Sequence, residues 1–155
     1  MLVEFNILPD ESRIWVYASE YRLTDKQQDY ILKSIYDHLQ GWEAHGVPLK
    51  AGVKIIENHF IIVGLDENKN VASGCSIDTL QNKIQQIENK LSISLLNRLN
   101  IFCIVDDAIV CIPSIDLKKN VNKETLFYDL TIESKSQIHS FLKPISDGWC
   151  AKLVD

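Results

Sequence analysis

Five apolar residues, Ile77, Leu80, Ile84, Ile87 and Leu91, follow one another at intervals of three and four, the spacing that lines up one face of an α-helix. A helix with a single apolar stripe has to bury it against another layer, so this chain must supply a sheet or further helices to receive it. A second helix is marked by Thr24 and Gln27, a capping-box pair, followed by Ile31, Ile35, His38 or Leu39, and Trp42 at helical intervals. Gly46 and Pro48 are expected to end it.

The receiving layer is read from short β-branched and aromatic runs. Arg13–Ala18 forms a first strand after the turn-prone Pro9-Asp10-Glu11-Ser12. Gly52–Glu57 and Phe60–Leu65 form a hairpin across Asn58-His59, and Ile101–Val105 pairs with Ile109–Ile112 across Asp106, Asp107 and Ala108. The order β, α, β, β, α, β predicts an α+β fold with a ferredoxin-like βαββαβ core over residues 13–113. Residues 122–154, interrupted at Pro144 and bearing Phe127, Tyr128, Ile138, Phe141, Leu142 and Trp149, are expected to add a C-terminal helical extension. No internal repeat or low-complexity tract divides the 155 residues, and one domain is the simplest expectation.

Composition narrows the function classes. With 46% hydrophobic and 24% charged residues the chain is globular rather than disordered. A net charge of -5 works against nonspecific nucleic-acid binding, which needs clustered Lys and Arg; Lys118-Lys119 is the nearest thing to a basic run. The longest apolar runs fall far short of the roughly 20 residues of a membrane helix. Met1–Ser12 lacks the basic leader and apolar stretch of a secretory signal. Cys75, Cys103, Cys111 and Cys150 show no spacing typical of a zinc site or disulfide framework. A soluble chain with reduced thiols in the cytoplasm is expected, with no cofactor and no metal.

Chemistry concentrates at Ala72-Ser73-Gly74-Cys75-Ser76-Ile77-Asp78, a small-residue loop running into the start of the second helix. Helix starts attract anions through unpaired N–H groups and the macrodipole, and Gly74 would admit a ligand close to the backbone. The same field favours a thiolate, which makes Cys75 the candidate nucleophile, with His45 as base and Asp66 or Asp78 to orient it. Ser73, Gly74, Ser76, Trp42 and Asp66 are the candidate ligand-binding residues. The competing reading is structural. With Ser76 as N-cap, Cys75 and Leu80 form a hydrophobic staple and Asp78 complements the dipole from the first turn. The acidic pairs Asp66-Glu67 and Asp106-Asp107 can hold a hard cation or serve as turn residues.

Leu8-Pro9-Asp10 with Ser12-Arg13-Ile14-Trp15, Trp42 with His45-Gly46, and Asp66-Glu67 followed by Ser73–Asp78 resemble a family of small bacterial proteins that carries the label ABC transporter ATPase. The resemblance covers the first half of the chain. It implies a common fold and marks the Gly74–Asp78 loop, while the ATP hydrolysis in the label finds no GxxxxGK[ST] loop here. GxGxxG, HExxH and GxSxG are also absent. A ligand- or partner-binding module, taking a small anion or a protein and able to form a homodimer, is the leading expectation. A thiol-dependent enzyme built on Cys75 is the alternative.

Overall fold

Three strands receive the two predicted helices. A computed structural model describes residues 1–155, in which Arg13–Ala18 (β1), Asp25–Gln40 (α1), Glu43–Ala44 (β2), Val47–Pro48 (β3), Lys50–Ile56 (β4), Phe60–Asp66 (β5) and Gly74–Leu91 (α2) follow in sequence. The chain divides into two compact units, Met1–Leu96 with Glu133–Ser136, and Asn97–Ile132 with Gln137–Asp155.

In the first unit β1, β5 and β4 form an antiparallel sheet in that order. Trp15, Tyr17, Ala51, Val53, Ile61 and Val63 share one face, by strand alternation and register. The stripes Ile31, Ile35, Leu39 of α1 and Leu80, Ile84, Ile87 of α2 are buried in the same core. The capping box on α1 is formed as expected: Gln27 N–H donates to Thr24 Oγ1 at 3.1 Å, and Thr24 N–H to Gln27 Oε1 at 2.9 Å. That helix ends sooner than Gly46, at Gln40 with Gly41 as C-cap. Trp42–Leu49 instead folds into the small β2–β3 hairpin, with His45 and Gly46 both at positive φ in its turn.

Gly64 and Gly52 lie on the opposite face of the sheet. A Cβ at Gly64 would stand 2.7–2.8 Å from atoms of the Leu8 and Phe5 side chains, and one at Gly52 would stand 2.6 Å from the Val3 carbonyl oxygen. These missing side chains let the N-terminal segment and its 3₁₀ turn Phe5–Ile7 lie directly on the strands. The β4–β5 turn is one residue off its expected place. Glu57 and Asn58 take the left-handed conformation, while His59 is buried with Nδ1 3.0 Å from the Ser19 carbonyl oxygen.

The second unit contains Asn100–Val105 (β6), Ala108–Pro113 (β7), the single turn Leu117–Asn120 (α3), Leu126–Tyr128 (β8) and Leu142–Pro144 (β9). Its sheet runs β7-β6-β8-β9. Cys103, Phe127, Ile101 and Ile112 pack with Leu117, Ile145 and Cys150 in one core. The β6–β7 turn is Asp106-Asp107 alone, both at positive φ, so that Ala108 already pairs with Val105. Cys103 therefore faces Val110 while Cys111 faces Phe102; the two thiols lie on opposite faces and form no disulfide.

The chain is mixed α+β with antiparallel sheets, but the ferredoxin-like ordering is not found, because the strand order differs. That arrangement would place the strand after α2 beside β1. Here the outer edge of β1 is taken by Glu133–Ser136, through Ile14 N–H to Glu133 O and Lys135 N–H to Ser12 O, both 2.9 Å. β6 has both its own edges filled by β7 and β8. The expected helical C-terminal extension is likewise two strands with 3₁₀ turns, since Phe127 and Tyr128 pair with Cys103 and Phe102 of β6. No helix is long and apolar enough to cross a membrane.

Candidate functional site

The Ser73–Asp78 segment is built as a helix start, three residues earlier than expected. Ser73, not Ser76, is the N-cap: Ser76 N–H donates to Ser73 Oγ at 3.1 Å, and Ser73 N–H donates to Ser76 Oγ at 2.8 Å. Ser-Gly-Cys-Ser makes this possible because a serine at the third helical position reaches back to the cap as Glu or Gln does. Gly74 and Cys75 become the first two helical residues, and both are exposed. Cys75 cannot be the residue preceding the cap, so the proposed staple with Leu80 is not formed. Asp78 is exposed beyond the first turn, away from the end of the dipole.

Trp42 reaches this start from beneath. It is 3% exposed and donates its indole N–H to the Ser76 carbonyl at 2.8 Å. Its ring meets Trp15 edge-on at 5.8 Å. Trp42 is thus a core residue that locks the end of α1 to the start of α2, with no surface left for a ligand. His45 projects at the tip of the β2–β3 hairpin and is exposed. Asn70 fastens that hairpin through Nδ2 to the Val47 carbonyl at 3.0 Å. Asp66 accepts Asn68 N–H at 3.0 Å and faces Lys50 at 3.9 Å, while Glu67 accepts Ala72 N–H at 2.9 Å. The acidic pair therefore shapes the approach to α2. The fold unites Ser73, Gly74, Cys75, Ser76 and Trp42, while no hydrogen bond or ion pair joins Cys75 to His45 or Asp78. No group of three or more His, Cys, Asp or Glu side chains is gathered to hold a metal ion.

A groove unmarked by any motif opens at the free edge of β4. Its volume is about 470 Å³, and it is lined by Leu2–Asn6, Tyr36 of α1, and Val53 and Lys54 of β4. Its origin lies in how the N-terminal segment pairs. Val3 N–H donates to Ala51 O at 2.8 Å and Ala51 N–H to Met1 O at 3.1 Å, a parallel bridge that covers the beginning of β4. The chain then leaves the edge at Glu4 and turns over the sheet. Backbone groups of a strand point alternately to its two sides. Val53 and Ile55, in the same phase as Ala51, therefore direct N–H and C=O outward, where no strand is paired.

Lys54 is the charge beside this edge. Its ammonium lies 4.8 Å from the centre of the Phe5 ring, and that of Lys135 lies 5.7 Å from the same ring. Burial, and then the neighbouring Lys135, push the Lys54 ammonium below its ordinary value. Lys135 is tied to the carbonyls of Asn6, at 3.0 Å, and Leu8, whereas no carboxylate is ion-paired with Lys54.

No family model, curated protein or solved structure matches this chain. The feature that foreshadows the groove is Gly52, which sits beside Ala51 and admits the crossing segment. An isolated glycine in a strand pattern marks a close approach of backbone.

Proposed function

We propose that the chain is a small binding module that takes its ligand or partner in the groove beside β4. The observation that carries this reading is an open groove at an edge with unpaired backbone groups, those of Val53 in its lining and those of Ile55 next along the strand, beside a half-buried ammonium lacking a carboxylate. At the Ser73–Asp78 start, in contrast, the Ser73 and Ser76 hydroxyls and amides are paired with each other and the Ser76 carbonyl with Trp42. The test is a fragment and peptide screen read by amide chemical shifts. Shifts centred on Leu2–Asn6, Tyr36 and Val53–Ile55 support the reading; hits that move only Gly74–Asp78 overturn it.

The second reading keeps a thiol-dependent reaction at Cys75, favoured by an exposed thiol at the second residue of an 18-residue helix. It requires His45 to approach Cys75 in the reacting complex, and Cys75→Ser to abolish turnover. A cytoplasmic setting accords with four cysteines that form no disulfide. Membership of the small bacterial family is part of this proposal, and ATP hydrolysis is not.

A further inference from the structure

The exposed edge of β4 is already used once for strand addition. Met1–Val3 pairs with it in parallel, and the pairing stops because Glu4 turns away, leaving Val53 and Ile55 with the same outward backbone groups that Ala51 uses. Beyond that point the groove straddles the edge. Tyr36 flanks it from the helix side of the sheet and Phe5 with Lys54 from the other, so a chain lying in it would find a wall for each of its two faces.

We propose, deepening the binding reading and resting on it, that the groove accepts an extended peptide segment carrying a carboxylate, which adds as a strand to β4 beside Val53–Ile55. Alternate residues of such a strand face opposite sides. Those on the helix side meet Leu2, Val53 and the Tyr36 ring, which call for apolar side chains. Those on the other side meet Lys54, which calls for Asp or Glu. Glu4 also lines the groove, but it is exposed and its charge is screened by solvent, whereas the half-buried Lys54 is screened less. The cation therefore sets the preference. Main-chain hydrogen bonds supply affinity and the two walls supply selectivity, the division of labour of strand addition generally.

The probe is the capped peptide acetyl-Thr-Val-Glu-Val-Thr-amide, which puts both valines on one face and the glutamate on the other. Binding is read by amide chemical shifts and hydrogen exchange in the whole chain. The expected result is slowed exchange at the Val53 and Ile55 amides. Replacing Glu by Gln in the peptide, or Lys54 by Met in the protein, should each weaken binding about tenfold, and the two changes together little more than either alone. N-methylation of the peptide's alternate amides should abolish binding without touching the protein's fold. Equal binding of the N-methylated peptide overturns strand addition. Shifts in the groove from fragments alone, with no amide protection by any peptide, overturn the peptide proposal and leave the broader binding reading standing. Protection of the same amides by protein concentration alone, with dimers in sedimentation, assigns the edge to a second copy and overturns it too. No perturbation of the groove by any probe removes both.

Discussion

Replacing Gly52 by Ala tests the placement of the N-terminal segment on which the groove depends. The added Cβ would lie 2.6 Å from the Val3 carbonyl oxygen and 3.0 Å from Phe5 N and Cα, all backbone atoms that cannot rotate away. Two responses are open. The segment can stay and accept overpacking, at about 1–3 kcal/mol. Alternatively it can lift off, giving up the hydrogen bonds Val3 N–H to Ala51 O, Ala51 N–H to Met1 O and Met1 N to Leu49 O. Those are worth about 1 kcal/mol each, and exposing the buried Phe5 ring costs about 1.5–3 kcal/mol more. Staying is cheaper. Alanine also restricts the unfolded chain, which returns about 0.4–1 kcal/mol, so the net loss is about 1–2 kcal/mol. Gly74→Ala is the matched control, because a Cβ there meets nothing within 4 Å and the backbone has no positive φ. It should stabilise by about 0.5 kcal/mol. Urea unfolding followed through Trp15 and Trp42, in a Trp149→Phe background, separates the two variants. If Gly52→Ala proves neutral or stabilising like Gly74→Ala, the segment does not lie across the sheet and the groove beside β4 is not formed by it.

Three further outcomes follow from local geometry. Ser73→Ala removes the cap oxygen of α2 and should cost about 1 kcal/mol in urea unfolding, whereas Cys75→Ala should be near neutral; equal effects would contradict the assignment of the cap. Native alkylation with peptide mass mapping should label Cys75 first and leave Cys103 and Cys150 protected until unfolding. Burial, helped by Cys150 and Cys111, pushes the Cys103 thiol up to about 12, and burial raises that of Cys150. At Asp129 burial raises the carboxyl, but hydrogen bonds from Lys143 at 2.8 Å and from Thr131 outweigh it and hold the group below its ordinary value. The folded state therefore binds fewer protons than the unfolded one. Its stabilisation is complete above about pH 5, a unit above the ordinary Asp value, and is lost as pH falls through the lower folded value. In Lys143→Met the Asp129 carboxyl should titrate at higher pH by side-chain NMR, and an unchanged titration would refute the assignment.

Sequence alone determined the parts of this protein whose signals repeat over a few residues. The Ile31-Ile35-Leu39 and Leu80-Ile84-Ile87 stripes, the Thr24–Gln27 box and the aromatic β1 run each carry their structure within one segment, because helix and strand periods are local. Boundaries slipped where two local solutions compete. Ser73 and Ser76 are both credible caps, and Glu57-Asn58 or Asn58-His59 both credible turns; the choice went to the pair that completes a reciprocal cap and to the turn that buries His59. Strand order was not legible at all. Pairing Glu133–Ser136 with β1 joins residues more than a hundred positions apart by backbone groups that every residue carries. The candidate thiol site was visible as a composition, yet Trp42, read as a ligand-binding residue, proved to be its floor. The groove exists only because Met1–Val3 covers part of an edge and then departs over Gly52, which no periodicity records. Local chemistry fixed the elements; which edges were filled, and which one stayed open, was decided by contacts that form only when the chain is folded.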